Sequence, residues 1–198
     1  MSAFLDADLP PETLVRARAG EPAALEAVYR AYERPVRTLA RRLVANPATA
    51  EDLTQDTFVE VLGNLHRYEA RGSFSGWVRS IAVSKCLMYL RSPWRRALPW
   101  SAGEETLEAC APEARPRRQG GGCEPIDVER ALAKLAAPDR CVVWLHDVEG
   151  YTHAEIGALL GGTPSLSKSR LARAHVRLRE LLEPDGAPTP CMRVRTSC

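Results

Sequence analysis

No apolar run in this 198-residue chain approaches the roughly 18 residues that a membrane-spanning helix requires, and the opening MSAFLDADLPPE is acidic with no long apolar core. Neither a bilayer span nor a secretory leader is expected, and a cytoplasmic protein with no membrane insertion is predicted. Six cysteines are present, Cys86, Cys110, Cys123, Cys141, Cys191 and Cys198, with no C-x-x-C pair among them. Two of these lie in segments with a buried helical pattern, which argues against the disulfide framework of a small secreted domain. No stretch alternates apolar and polar residues convincingly enough to mark a strand, and no internal repeat is found. A clustered nucleophile and base are missing, as is a Gly-rich phosphate loop, so an enzyme is not expected.

What is present is helical periodicity. With 45% hydrophobic and 26% charged residues, the chain can bury one or two modest cores. Leu25, Val28, Tyr29, Tyr32, Val36, Leu39 and Leu43 form the clearest stripe, with Pro22 where a first helical turn tolerates it. Pro35 falls inside that stripe, where it removes a backbone bond, and two helical pieces are predicted there. A later helix, about Ser75 to Arg91, carries Trp77, Val78, Ile81, Ala82, Met88 and Tyr89 on one broad side and Val83, Leu87 and Leu90 on the other. Such a helix is central in a bundle or apolar toward two partners.

Between these lies AEDLTQDTFVEVL, residues 50 to 62. Leu53, Thr57, Val61, Leu62 and Leu65 share one side, and Glu51, Asp52, Gln55, Asp56 and Glu60 fill the other without an interrupting Lys or Arg. Thr49 with Asp52, after Asn46-Pro47, reads as a variant capping box, and acids in a first turn suit the helix dipole. A solvated acidic helix is one reading of the arc, and a binding face for a basic partner is the other. The net charge is only +2, but the charge is segregated: 91 to 96 (RSPWRR) and 168 to 179 are basic. Segregation of that kind suggests partners of opposite sign at different places.

Residues 97 to 124 lose periodicity and gain Pro, Gly and mixed charge, the marks of a flexible linker. Helical spacing resumes at Ile126, breaks at Pro138, and continues to Gly150. Thr152-His153-Ala154-Glu155 is a capping box for a short helix stopping at Gly161-Gly162, and Thr163 caps a longer helix opening with Pro164. That order is the helix-turn-helix plan. In the longer helix Leu171, Ala174, Leu178, Leu181 and Leu182 form a packing stripe, leaving Ser165, Leu166, Ser169, Arg170, Arg173 and Arg177 as the arc a recognition helix lays in a major groove. Arg suits guanine edges; Lys and Ser suit phosphates. The predicted fold is all-α: two small helical domains joined by a flexible linker, at 11–96 and 125–183, with the linker at 97–124 and a cysteine-bearing tail at 184–198.

RARAGEPAALEAVYRAYERPVRTLARRL, AEDLTQDTFVEVL, RYEARGSFSGWVRSIAVSKCLMYLR and LAAPDRCVVWLHDVEGYTHAEIGALLGGTPSLSKSRLARAHVRLREL follow one another in the order of a known family. Together, over roughly 11 to 91 and 126 to 182, they resemble the extracytoplasmic-function sigma factors of bacterial RNA polymerase. The resemblance implies a region 2 bundle followed by a region 4 helix-turn-helix. It implies that Glu51, Asp52, Gln55, Asp56 and Glu60 dock on the clamp helices of core RNA polymerase, where acids give steering and register. It further implies that His66 to Arg91 opens promoter DNA at the minus-ten element, with Arg71, Ser73, Trp77, Lys85 and Arg91 as the residues for base and backbone. Trp77 reads equally well as core. Ser84 stands where many relatives carry Asn, so a base contact by that amide does not carry over. In the second domain the resemblance places Ser165, Lys168, Ser169, Arg170 and Arg173 on the minus-thirty-five element, and GGTPSLSKSR departs from the commoner GVPVGTVKSR at the helix start. No cofactor is required, because the chemistry belongs to the polymerase. The rival reading is a stand-alone helix-turn-helix regulator with a sensor domain, which would not need the acidic helix.

Cys86 and Cys141 sit among apolar neighbours and read as small buried hydrophobes. Cys110 and Cys123 on the linker, with Cys191 and Cys198 on the tail, fit two readings. One is a thiolate site for a thiophilic metal ion such as zinc, cadmium or copper, resembling the metal-sensing subgroup with cysteine-bearing tails. The other is chance or redox-active thiols, since no compact ligand spacing is present. His146 and His153 are further ligands on the first reading and structural on the second. Control by an anti-sigma protein is the alternative to direct metal sensing.

Overall fold

The structure is a computed structural model that describes Phe4, Ala7 and residues 9–68, 72–92 and 128–182. Among the described residues the regular structure is helical throughout, as expected. The first half holds α1 (Pro11–Arg18), α2 (Pro22–Val44), α3 (Pro47–Asn64), a single 3₁₀ turn at Leu65–Arg67, and α4 (Phe74–Arg91). The second holds α5 (Val128–Ala133), α6 (Ala137–Val143), a wider π-helical turn at Trp144–Val148, α7 (His153–Leu160) and α8 (Pro164–Leu182).

Helix α2 corrects the expectation at Pro35, because it runs unbroken from Pro22 to Val44 with Pro35 buried inside it. An interior proline costs about 3 kcal/mol. Val28, Tyr32, Val36, Leu39 and Leu43 flank it on one face and are all at most 1% exposed. Each contributes roughly 1.5–3 kcal/mol by burial, so the continuous stripe outweighs the single lost backbone bond.

The chain then turns through Ala45, which adopts a left-handed backbone with φ 53°, and Asn46, extended as the residue before a proline must be. Asn46 Oδ1 accepts the Thr49 N–H at 3.1 Å, so Asn46 rather than Thr49 caps α3. Pro47 has no N–H to satisfy and starts the helix three residues, nearly one turn, earlier than the Thr49 and Asp52 pattern suggests. The Thr49 hydroxyl is thereby free to meet the Tyr89 hydroxyl at 3.3 Å, linking α3 to α4.

Helix α4 resolves the two-sided pattern in favour of two partners. Its buried residues include Phe74, Val78 and Ala82 on one side and Val83, Cys86, Leu87 and Leu90 on the other. One side completes the bundle with α2 and α3, and the helix also meets the second half of the molecule. There the Arg79 guanidinium donates to the Glu149 carbonyl at 2.8 Å and lies 5.0 Å from the Tyr151 ring centre. Two helical halves are present as expected, but they are packed together over a shared core rather than held apart. Arg140 of α6, only 5% exposed, donates to the carbonyls of Leu43 and Leu135, both at 3.0 Å. Arg41 and Arg42 at the end of α2 both reach the Glu129 carboxylate at 3.1 Å.

Candidate polymerase and DNA interfaces

On α3 the buried face is Ala50, Leu53, Thr54, Thr57, Phe58 and Val61, with the Thr54 and Thr57 hydroxyls donating to the carbonyls four residues back at 2.7 Å. Everything opposite points outward. Glu51 is tied to Arg37 at 3.4 Å, and Glu60 to Lys85 at 2.6 Å. Asp52, Gln55 and Asp56 are exposed, and neither carboxylate has an ion-pair partner among the described residues. Between them projects Val59, 75% exposed, three residues after Asp56 and seven after Asp52. Val59 is no part of the arc of acids and amide that the sequence marks out. Its spacing was the available signal.

The loop and first turns of α4 hold an aromatic cluster. Tyr68, Phe74 and Trp77 stand with ring centres 5.2 to 5.5 Å apart, and the Tyr68 hydroxyl donates to the Gly72 carbonyl at 2.6 Å. Trp77 is half-buried, which matches neither a wholly core nor a wholly free ring. Ser73 is the N-cap of α4, its hydroxyl accepting the Gly76 N–H at 3.0 Å. Lys85 is engaged with Glu60, and Arg91, exposed at the helix end, bonds the Leu87 carbonyl through Nε at 3.3 Å. Arg71 lies outside the described residues.

In the second half the capping box forms as expected. The Thr152 hydroxyl accepts the Glu155 N–H, and the Glu155 carboxylate accepts the Thr152 N–H at 2.7 Å. These bonds hold the Glu155 carboxyl below the usual carboxylate range. Gly161 ends α7 in a left-handed conformation, φ 69°, and a Cβ on Gly157 would meet the Thr163 backbone at 2.9 Å. Glycine thus sets both the turn and the close approach of α7 to α8. The Thr163 hydroxyl accepts the Leu166 N–H at 3.1 Å and caps α8.

Ser165, Lys168, Ser169, Arg173 and Arg177 are exposed together along α8. Arg170 is a correction to the expected arc. Its side chain is 7% exposed and donates to Asp139 of α6 at 2.9 Å, because position 170 lies one residue before the buried Leu171 and four before Ala174. Two histidines tie α8 to its support: His153 Nδ1 meets the Ser167 hydroxyl at 3.0 Å, and His175 Nε2 meets Asp147 at 2.7 Å. His146 and His153 stack with centres 4.3 Å apart. Partial burial, then the neighbouring His146 and Lys168, lower the His153 pKa below 6.5.

Burial pushes the Cys86 and Cys141 thiols up to about 12, the value of inert packing thiols. Cys110, Cys123, Cys191 and Cys198 lie outside the described residues. Among the described residues no group of three or more His, Cys, Asp or Glu side chains is placed to hold a metal ion, so His146 and His153 stand as a stacked pair without further ligands. No helix among them is long and apolar enough to cross a membrane.

Residues 28–96 match the family described as Sigma-70 region 2, and residues 126–178 match Sigma-70, region 4. The ECF RNA polymerase sigma factor SigE of Mycolicibacterium smegmatis is 33% identical over 188 residues, covering 92% of this chain and 72% of that protein. The chain belongs to the extracytoplasmic-function sigma factors. RNA polymerase sigma factor CarQ of Myxococcus xanthus is 34% identical over 167 residues, with 84% and 94% covered. Among solved structures, the sigma factor RpoE in complex with the anti-sigma factor NepR from Bartonella quintana has a TM-score of 0.55 at 25% identity, covering 81% of this chain and 98% of that one. CnrH in complex with the cytosolic domain of CnrY shares the fold, with a TM-score of 0.52 at 21% identity over 88% and 97%. As a sigma factor the protein is a transcription-initiation subunit working with RNA polymerase on promoter DNA, and not an enzyme.

Proposed function

We propose that this sigma factor docks on core RNA polymerase through the outward face of α3, opens the minus-ten element with the segment from His66 to Arg91, and reads the minus-thirty-five element with α8. The observation that carries the reading is the face itself. Asp52, Gln55 and Asp56 surround an exposed valine, while the flanking Glu51 and Glu60 are held by Arg37 and Lys85. An apolar centre ringed by unpaired acids suits a basic helical partner, with Val59 supplying buried area and the acids steering and register. On the DNA side, Ser165, Lys168, Ser169, Arg173 and Arg177 supply phosphate anchors and base donors, and Ser73, Trp77, Lys85 and Arg91, with Arg71, serve the opened strand.

The test is charge reversal. Asp52→Lys with Asp56→Lys leaves the fold intact, since both side chains are exposed, and abolishes binding to core polymerase. Unchanged affinity removes the assignment of α3 as the docking face.

Two modes of control belong to the same proposal. The likeness to a sigma factor solved with its anti-sigma protein supports an anti-sigma partner. The cysteines of linker and tail, Cys110, Cys123, Cys191 and Cys198, support direct control by a thiophilic ion, zinc, cadmium or copper. Run-off transcription in chelator and then with each metal separates them. Transcripts that depend on one metal support the thiolate site, and equal transcripts assign control to a protein partner.

A further inference from the structure

The N-terminal segment ahead of α1 makes contacts that docking and promoter reading do not require. Phe4 is 2% exposed within the core, and Ala7 and Leu9 pack against the same cluster. The Ala7 carbonyl accepts from Ser75 Oγ at 3.3 Å and lies 3.5 Å from the Tyr32 hydroxyl, and those two hydroxyls are 3.0 Å apart. Two hydrogens serve three contacts, and the shortest chain is Tyr32 to Ser75 to Ala7. Ser75 belongs to the first turn of α4, two residues after the Ser73 cap and two before Trp77. The Tyr32 ring meets Phe74 edge-on at 5.4 Å, and Phe74 in turn meets Tyr68 and Trp77. The segment therefore grips the end of α4 that carries the aromatic cluster, and it does so from outside the helical bundle.

We propose that Phe4, Ala7 and Leu9, ahead of α1, act as a positioning strap for strand separation: through Ser75 and Tyr32 they set the place of the Tyr68, Phe74 and Trp77 rings from which the unpaired strand is received. The inference rests on the proposed role of this segment in opening the minus-ten element. The buried Phe4 ring and the Tyr32 and Ser75 hydroxyls anchor the strap through few groups, so it opens locally at lower cost than the helical bundle it rests on. Ser75 and Tyr32 are positioning residues that act through the rings.

The test uses the full chain in holoenzyme, on the promoter of its own gene as duplex and on the same promoter with the minus-ten element already unpaired by mismatches. Tyr32→Phe and Ser75→Ala each remove one hydroxyl; Phe4→Ala removes the buried anchor. Open-complex formation on the duplex, read by permanganate reactivity of unpaired thymines, is expected to fall roughly threefold to tenfold, the rate equivalent of one or two net hydrogen bonds. Transcription from the unpaired template and affinity for core polymerase stay within twofold of the wild type in all three variants, and the melting temperature is unchanged in the two hydroxyl variants, whereas Phe4→Ala also lowers it because a buried ring is lost. Ser75→Thr, which keeps the hydroxyl, retains duplex opening.

Equal losses on both templates reduce the strap to general stability and overturn the proposal. Wild-type opening with no loss in any variant also overturns it while leaving the proposed function standing. A wild-type holoenzyme that neither opens the duplex nor transcribes from the unpaired template removes both.

Discussion

Position 170 and position 173 carry the same side chain three residues apart on α8, and their surroundings give them different work. Arg170 is buried against Asp139, and Arg173 stands in the exposed arc. Removing Arg170 leaves the half-buried Asp139 carboxylate without its donor, so Arg170→Ala is expected to destabilise the second half by roughly 1–3 kcal/mol. Thermal unfolding measures that loss. Arg173→Ala leaves the melting temperature unchanged and weakens use of the minus-thirty-five element by roughly 1–3 kcal/mol, read by binding to specific against random DNA. The sequence placed both arginines on one arc because a helical wheel ranks angles, and an arginine next to a buried leucine sits at the edge of two faces. Which way its long stem turns depends on Asp139, 31 residues earlier. By contrast, Asp52, Gln55 and Asp56 of α3 are exposed where their angles place them, while Glu51 and Glu60 at the edges of the same arc are held by Arg37 and Lys85 of neighbouring helices.

At the scale of elements, caps and turns were largely visible in the sequence. Thr152 with Glu155, Gly161 and Thr163 all act where local chemistry places them, since each works within three residues. Pro35 and the start of α3 depart from what local pattern predicts, for opposite reasons. The first is decided by burial of a whole stripe, the second by which of two neighbouring polar residues, Asn46 or Thr49, the flanking proline favours.

The helix-turn-helix also carries a pH dependence. His153 has a folded pKa below its ordinary 6.5, so the unfolded chain binds the proton more readily and stability is lost as pH falls through that region. Glu155, whose folded pKa is also lowered, adds a loss of the same sign at lower pH, as its carboxylate protonates. The melting temperature of the protein should therefore decline on acidification from pH 7 to 5, and His153→Gln should flatten that decline. An unchanged decline in His153→Gln assigns it to other groups.

The whole molecule raises a matter of distance. The minus-ten and minus-thirty-five elements lie roughly 25 base pairs apart, about 85 Å along the DNA at 3.4 Å per pair. A compact chain of this size is roughly 40 Å across. On the proposed function the two halves must part when both elements are read, breaking the bonds of Arg140 to Leu43, Arg79 to Glu149, and Arg41 and Arg42 to Glu129. Cys86 and Cys141 report on that event, since burial keeps both thiols unreactive in the packed form. In a protein whose other four cysteines are replaced by serine, thiol labelling should be slow alone and at least several-fold faster with Arg79→Ala or on a promoter-bound polymerase. Equal labelling in all three states would contradict separation of the halves. Linker composition predicted two units, and nothing local predicted their packing, because it is made by residues up to 97 apart.

The most direct measurement is run-off transcription from the promoter of the protein's own gene, using core polymerase with the wild-type chain and, in parallel, with Asp52→Lys and Asp56→Lys combined. A promoter-specific transcript with the first and none with the second is the expected result. A transcript of equal yield with the reversed face contradicts the assignment of α3 as the surface through which this sigma factor engages the polymerase, and no transcript with the wild-type chain contradicts initiation at this promoter.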